Sequence, residues 1–252
     1  MESNNDLAII IPAYNEEKRI ERTIRSINEY LIFKQLSYEI LIVSDGSTDG
    51  TVQLINNIIK ETKNLRLIHN NINHGKGWAV RQGMLNTKAK IRLFMDADNS
   101  TSIEHFDLMS PLFSKGYQVV IGSRDSKDAE GARQEVPQNF IKRFLGNISN
   151  ILIQIMAVRG IWDTQCGFKA LTATAAEDIF SRSKIDRWGF DIELLSLAQR
   201  LRYSIAIIPV KWINDLNSKV KLSAYGKTLM ELVQIRWWFL KDDYNINRHY
   251  KS

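Results

Sequence analysis

The feature that most constrains the fold of this chain is the alternation of short apolar runs with amphipathic stretches in its first half. Runs such as Leu7 to Ile11 and Ile91 to Met95 have the length and composition of strands buried on both faces. Between such runs, apolar residues recur at helical spacing, as in Glu16 to Leu31. The alternation predicts an α/β fold with a mostly parallel central sheet and helices on both faces. We expect one domain over residues 1–252, because α/β domains often reach roughly 250 residues.

The second half of the chain, residues 124–252, is less regular. Asp125 to Pro137 is polar and lacks periodicity, which predicts a mobile loop. Phe140 to Val158 and Leu229 to Leu240 carry apolar residues at helical spacing beside basic ones, which predicts two amphipathic helices. Such helices either pack on the sheet, form a dimer interface or contact a membrane surface.

Charge narrows the classes of partner. The formal net charge is +6 and the isoelectric point is near 9.3, which favours an anionic partner such as nucleic acid, anionic lipid or a phosphorylated substrate. A basic nucleic-acid-binding module is a remote alternative, because the sequence has no recognised nucleic-acid-binding motif. We therefore expect no nucleic-acid partner. Cys166 is the single cysteine, so no intrachain disulfide can form and a reducing, cytoplasmic location is expected. No window reaches the ~18–20 apolar residues of a membrane span, so any membrane contact should be peripheral.

Three polar clusters follow predicted strands. They are Pro12 to Glu16, Ser44 to Ser47 and Asp96 to Asp98. Ligands of open α/β sheets bind outside the carboxyl ends of the strands, so we expect these clusters to converge. Asp96 and Asp98 would repel each other without a cation, and Mg²⁺ or Mn²⁺ binds carboxylate and diphosphate oxygens together. The alternative is a turn with two solvated acids, and Asp45 to Asp49 could equally be a strand-to-helix turn.

Taken together, these clusters resemble the family 2 inverting glycosyltransferases of the GT-A fold. The matching stretches of the first half are Ile10 to Glu16, Asp45 to Asp49, Gly75 to Gly77 and Asp96 to Asp98. The second half is similar to the dolichyl-phosphate β-glucosyltransferases. The stretches that carry this similarity are Gly122 to Arg124, Asp163 to Lys169, Arg187 to Leu195, Val210 to Trp212 and Ser218 to Lys219. The resemblance implies a Rossmann-like nucleotide-sugar-binding half over residues 1–123 and an acceptor-binding half over residues 124–252.

The resemblance also implies a role for each matching residue. The residues that would hold the nucleotide sugar are Pro12, Tyr14, Glu16, Asp45, Lys76 and Asp96. Asp98 would be a direct metal ligand, with Asp96 beside the ribose and the metal. The residues that would face phosphates of the donor or the acceptor are Arg124, Lys169, Arg187 and Lys219. Asp191 would be the general base for a hydroxyl acceptor, and the alternative is that it holds Lys169, Arg187 or a loop in place.

The implied reaction is metal-dependent transfer of glucose from UDP-glucose to a dolichyl or polyprenyl phosphate, with inversion. Alternatives that keep the fold are another donor, such as GDP-mannose, or a sugar hydroxyl as acceptor. The first acid of the usual Asp-Asp-Gly-Ser run is Ser44 here, which removes one carboxylate near the base. The eukaryotic members of the resembled family carry an N-terminal membrane anchor that this sequence lacks. We therefore expect peripheral contact with the cytoplasmic face of a membrane, and a homodimer is an open alternative.

Overall fold

The computed structural model describes residues 5–134, 149–212 and 223–246. Its strands are β1 (Leu7–Ala13), β2 (Tyr38–Asp45), β3 (Leu65–Asn70), β4 (Ile91–Met95), β5 (Val119–Ser123), β6 (Arg133–Gln134), β7 (Phe168–Thr172), β8 (Ile205–Pro209) and β9 (Lys211–Trp212). Its helices are α1 (Ile20–Phe33), α2 (Thr51–Glu61), α3 (Lys76–Leu85), α4 (Phe106–Ser114), α5 (described over residues 149–156), α6 (Ala173–Arg182), α7 (Phe190–Arg200) and α8 (Ser223–Leu240). A 3₁₀ turn at Ile103–His105 leads into α4.

Seven strands form one sheet in the order β3-β2-β1-β4-β7-β5-β8. All of its pairs are parallel except those of β7, which runs antiparallel to both β4 and β5. The predicted fold class, a mostly parallel sheet in an α/β protein, is therefore confirmed. Strand β7 is not predicted by the sequence pattern; it comes from the second half of the chain yet lies between two strands of the first half. The two halves consequently share one sheet, beside which β6 and β9 form a small parallel ladder.

Helices cover both faces of this sheet, and each face has its own apolar core. Helices α3, α6 and α7 pack on one face together with the inner sides of α5 and α8. Helices α1, α2 and α4 pack on the other face. Each residue of β2 is buried, as expected for a central strand covered on both sides. Full burial of a side chain such as Ile40 contributes about 1.5–3 kcal/mol, so the core fixes the strand ends that carry the polar clusters.

Close contact between α3 and the sheet sets the position of the amino end of that helix. A Cβ added at Gly83 would lie 2.2 Å from Cγ2 of Ile10, so only glycine allows α3 to lie this close to β1. At the other end of α3, a Cβ on Gly77 would lie 2.6 Å from the carbonyl oxygen of Ile185. The start of α3, with Lys76, is thereby held between the sheet and the segment that precedes α7.

Some predicted segments fall partly or wholly outside the described residues. Lys219 lies outside them, as do residues 135–148 and therefore the first part of the predicted helix Phe140 to Val158. The described part of the predicted mobile loop is hydrogen-bonded to the segment before β7. The Asp128 carboxylate accepts hydrogen bonds from the amides of Trp162 and Asp163, both at 2.7 Å. Within the described ranges, no helix has the length and apolar character needed to cross a membrane.

Candidate active site

The carboxyl ends of the adjacent parallel strands β2, β1 and β4 lie side by side and carry the three polar clusters. This row of strand ends is the sheet edge that forms the site. The strand order places β1 between β2 and β4. Directly after β1, Asn15 adopts a left-handed conformation with φ of 55°. Its amide donates to Oγ of Ser47 at 3.1 Å, and its side-chain oxygen accepts from the amide of Thr48 at 2.8 Å. The first two clusters are thus joined by direct hydrogen bonds, as parallel topology predicts.

Asp45 ends β2 and holds the loop that leads into α3. Its buried carboxylate accepts a hydrogen bond from the His74 amide at 3.0 Å and one from the Gly75 amide at 2.6 Å. Gly75 has φ of 127°, and a Cβ there would lie 2.5 Å from the carbonyl oxygen of Asp186. These contacts fix the direction in which the chain delivers Lys76 to the sheet edge. The contact of Asp45 with a nucleoside stays a prediction, since the described oxygens of its carboxylate face the loop.

Lys76 joins this loop to the acidic pair after β4. Its Nζ lies 2.5 Å from Oδ1 of Asp96. Burial would lower the pKa of Lys76, but Asp96, Asp191 and Asp98 outweigh that effect and raise it, so the ammonium stays charged. The Asp96 carboxylate lies so close to Gly167 that a Cβ there would be 2.1 Å from Oδ2. Asp98 is half-buried and accepts a hydrogen bond from the Ser100 amide at 2.9 Å.

A second, fully buried ion pair lies behind the first. Nζ of Lys169 on β7 lies 2.5 Å from Oδ1 of Asp191 in the first turn of α7, and it also donates to the carbonyl oxygen of Cys166 at 2.6 Å. Lys169 has 0% exposed side-chain surface and Asp191 has 5%. Burial raises the pKa of Asp191, although Lys169 and Lys76 oppose this. The geometry supplies the contact required if Asp191 holds Lys169 in place, and the general-base and phosphate roles of the two residues stay predictions.

Arg124 forms the third ion pair of the site. Its Nε and Nη2 donate to the two carboxylate oxygens of Asp163, each at 2.8 Å, and its guanidinium lies 5.4 Å from the centre of the Trp212 ring. Burial would raise the pKa of Asp163, but Arg124 holds it below its usual value. Two parallel charge-assisted bonds keep the guanidinium plane in one orientation. A quarter of the Arg124 side chain remains exposed for a ligand.

The turn before α7 supplies an exposed cation and an exposed ring. Arg187 is exposed and has no ion pair with another described residue, which suits its predicted contact with phosphate. The ring of Trp188, 40% exposed, has its centre 5.8 Å from Nζ of Lys76. Trp188 lies inside the matching stretch Arg187 to Leu195, but the resemblance implies no role for it. Its exposure beside a charged residue is a tertiary property that no local pattern indicates.

The remaining predicted nucleotide-sugar residues lie along β1 and just after it. Pro12 is half-buried within the strand. Tyr14 is 44% exposed at the sheet edge, where its ring can reach a ligand. Glu16 has its carboxylate 2.6 Å from Nη2 of Arg19, and its amide donates to Oγ1 of Thr51 at 2.8 Å. Their contacts with a nucleoside stay predictions.

The donor set at this edge fits a divalent cation that is completed by substrate. Among the described residues, no three His, Cys, Asp or Glu side chains are grouped as metal ligands. Mg²⁺ in such sites is commonly held by one or two carboxylates with water and substrate phosphates, and Asp96 and Asp98 supply that number. Directly after them, Oδ1 of Asn99 and Oγ of Ser100 are buried without a hydrogen-bond partner in the described ranges. Hard oxygen atoms therefore dominate this part of the edge, as Mg²⁺ and Mn²⁺ require.

Comparison with known families places this site in context. The model of "Glycosyl transferase family 2" matches residues 8–180. A dolichyl-phosphate beta-glucosyltransferase from Trichomonas vaginalis is 35% identical over 240 residues, which cover 91% of this chain and 70% of that protein. The enzyme of the same name from Saccharomyces cerevisiae is 35% identical over 261 residues, covering 96% of this chain and 77% of the relative.

Solved structures share the fold at lower sequence identity. Glucosyl-3-phosphoglycerate synthase from Mycobacterium tuberculosis in complex with UDP has a TM-score of 0.66 and 18% identity, covering 93% of this chain and 80% of that one. The same synthase in complex with Mn²⁺, UDP and phosphoglyceric acid has a TM-score of 0.64 and 19% identity, covering 96% and 80%. At this level of identity the likeness concerns the fold alone.

Proposed function

The chain belongs to glycosyl transferase family 2 and is a hexosyltransferase, and from that premise we propose that it transfers glucose from UDP-glucose to a dolichyl or other polyprenyl phosphate, with inversion at the anomeric carbon. The resemblance to dolichyl-phosphate β-glucosyltransferases is confirmed by relatives of that name over most of the chain. The observation that carries the proposal is the cluster of charges at the sheet edge. Lys76 and Arg124 are cations near Asp96, and Arg187 adds an exposed cation next to the loop that carries Gly75, as two phosphate-bearing substrates and a metal require.

The chemistry of the acceptor decides what this site must do. A phosphate monoester has a second pKa near ~6, so most of it is dianionic at pH 7 and its oxygen is already a nucleophile. The protein has to hold that oxygen behind the anomeric carbon and offset the repulsion between acceptor and donor phosphates. Arg187 and the exposed part of Arg124 can receive the acceptor phosphate, while Lys76 stays close to the donor side beside Asp96.

Under this proposal Asp191 and Lys169 act as a buried support. Lys169 has no exposed surface, so its charge neutralises Asp191 and stabilises the junction of β7 with α7. A phosphate acceptor does not need a general base, and a buried, ion-paired Asp191 is compatible with that. If the acceptor is instead a sugar hydroxyl, Asp191 becomes the candidate base, and its raised pKa is the observation that keeps this alternative open.

A divalent cation, Mg²⁺ or Mn²⁺, fits the proposed reaction, and Asp98 with Asp96 would hold it. When bound, the cation would stabilise the negative charge that develops on the departing nucleoside diphosphate. The synthase with the same fold was crystallised with Mn²⁺ and UDP, which supports this assignment by fold analogy. Lys76 contributes a further positive charge here, because its Nζ lies 2.5 Å from Oδ1 of Asp96.

We also propose that the enzyme contacts the cytoplasmic face of a membrane, where a polyprenyl phosphate would be found. The outward side of α8 presents Met230, Val233, Trp237 and Leu240 at helical spacing, and they are 55–67% exposed. Helix α5 adds Ile151 and Ile155 on the same side of the sheet. The exposed charged residues on α8 itself are basic, Lys227 and Arg236. Lys241 follows the helix and Arg159 follows α5, and an exposed acid, Asp243, also lies beyond the end of α8. Apolar and basic groups together suit an anionic lipid headgroup region.

A transfer assay tests the proposal directly. The protein is incubated with UDP-glucose or GDP-mannose and a short-chain polyprenyl phosphate in detergent, with Mn²⁺, Mg²⁺ or excess EDTA. We expect a glucosylated lipid phosphate from UDP-glucose, formed only with metal, and a β-anomeric proton in its NMR spectrum. Faster transfer from GDP-mannose, or transfer to sugar hydroxyls with none to the lipid phosphate, would contradict it.

A further inference from the structure

The turn formed by residues 186–189 is clamped by α3 on one side. The amide of Trp78 on α3 donates to the carbonyl oxygen of Asp186 at 3.0 Å, and Nη2 of Arg81 lies 2.5 Å from its carboxylate. The turn also lies close to Gly75, because a Cβ there would lie 2.9 Å from Cγ of Arg187. This side of the turn is therefore packed against α3 and the loop that carries Gly75.

Glu231 on α8 clamps the other side of the turn. Its Oε2 accepts a hydrogen bond from the amide of Gly189 at 2.7 Å. A Cβ added at Gly189 would lie 2.8 Å from that oxygen and 2.9 Å from Cβ of Glu231, so the Gly189 backbone packs directly against the Glu231 side chain. Glu231 is the one acidic residue of α8 over Ser223–Leu240. Burial raises its pKa and the Gly189 amide opposes this, so the hydrogen bond offsets part of the cost of desolvating the carboxylate.

The peptide groups of Gly189 are fixed at both ends. Its carbonyl oxygen accepts from the amides of Ile192 at 3.1 Å and Glu193 at 3.0 Å, which starts α7. Its amide is fixed by Glu231. Arg187 and Trp188 lie just before this residue and Asp191 just after it, so the hydrogen bond from α8 adds to the α3 contacts in orienting the segment that carries all three.

We infer that Glu231 is a positioning residue that couples helix α8 to the turn of residues 186–189 through the Gly189 amide. This inference rests on the proposed transfer to a lipid phosphate. Helix α8 bears the exposed apolar face, and the turn bears Arg187, which would receive the acceptor phosphate. Glu231 links the helix to the turn through its hydrogen bond with the Gly189 amide. The donor-side contacts of Asp45 and Lys76 do not involve Glu231, so its loss should impair the transfer step more than donor binding.

The test compares Glu231→Ala, Glu231→Gln and the matched control Gln234→Ala, which alters an exposed residue one turn along the same helix. A displacement of about 1 Å can cost on the order of 100-fold in rate, so we expect Glu231→Ala to lower kcat for the lipid phosphate about 10- to 100-fold. The KM for UDP-glucose should change less than about twofold, because the substitution leaves the contacts that bind the donor in place. Glutamine keeps an acceptor oxygen and should restore most of kcat, and the control should match the unaltered protein.

Hydrogen–deuterium exchange supplies a readout that does not depend on activity. Exchange of the amides of residues 187–191 should rise in Glu231→Ala and stay at the original level in Glu231→Gln and Gln234→Ala. If the unaltered protein transfers nothing to a lipid phosphate, the proposed function fails, and the exchange pattern alone then decides whether Glu231 positions the turn. A Glu231→Ala variant with kcat within twofold of the original, or a Glu231→Gln variant as slow as Glu231→Ala, would overturn the inference.

Discussion

The buried pair of Lys169 and Asp191 gives a prediction about stability that does not depend on the substrate. Replacing Lys169 with methionine keeps most of the length of the side chain, which becomes one heavy atom shorter, and removes its charge. It leaves the Asp191 carboxylate, 5% exposed, without the cation that lies 2.5 Å from Oδ1. It also leaves the carbonyl oxygen of Cys166 without its donor at 2.6 Å. The chain must then either bury an uncompensated charge or bind a proton.

The expected cost follows from this geometry. Removing one partner of a buried pair destabilises a protein by about 3–5 kcal/mol, because the other charge stays desolvated. For a chain of this size each kcal/mol lowers Tm by about 2–4 °C, which predicts a drop of about 6–20 °C. An exposed pair provides the control: Lys90 and Asp6 lie 2.8 Å apart and are 68% and 51% exposed. Replacing Lys90 with methionine should cost less than about 1 kcal/mol.

The pH dependence of this deficit has a definite sign. Burial already raises the pKa of Asp191, and loss of Lys169 should raise it further. The folded variant then binds a proton that the unfolded chain, with an aspartate pKa near ~3.9, has released. Stability from that proton is present at low pH and is lost as pH rises through the folded pKa. The deficit should therefore be smaller at about pH 5 than at about pH 8.

Urea denaturation of Lys169→Met, Asp191→Leu and the double variant measures these quantities. Two apolar side chains in place of a buried ion pair are often neutral in stability, so we expect the double variant to recover most of the loss. A Lys169→Met cost below about 1 kcal/mol would refute the claim that the pair is desolvated and coupled. A double variant that is no more stable than Lys169→Met alone would refute it too.

Three further changes probe the sheet edge and the surface. Asp98→Asn should abolish transfer with little change in Tm, because the side chain is half-exposed. The control Asp107→Asn, which lies away from the site, should stay active. Full activity of the Asp98 variant would show that this carboxylate holds no metal. Gly167→Ala should lower kcat at least about tenfold, since its Cβ would lie 2.1 Å from Oδ2 of Asp96 and displace that carboxylate; an unchanged rate would mean that the Asp96 position is not critical. Trp237→Ala should weaken flotation with anionic liposomes, and binding of the unaltered protein should fall with added salt as charges are screened. Equal flotation of both proteins would remove α8 from the membrane contact.

The local pattern was sufficient for the parallel part of the sheet and for the edge that carries the site. Strands buried on both faces, such as β1 and β4, appear as continuous apolar runs, and the polar residues after them must lie at the carboxyl ends. The order of the strands along the chain therefore predicts that Asp96 and Asp98 lie at one edge with the Asn15 and Asp45 clusters. It could do so because parallel topology converts position along the chain into position in space.

Contacts between distant segments could be decided only by the tertiary structure. Strand β7 was missed because its second residue is a lysine, and the burial of Lys169 depends on Asp191, 22 residues further on. Glu231 was missed because an isolated acid on an apolar helix looks like a solvated charge, whereas its partner is the amide of Gly189, 42 residues away. Periodicity reports which face of an element is apolar. It carries no information on which backbone amide or cation the folded chain places against a given carboxylate, because that depends on packing across the whole sheet.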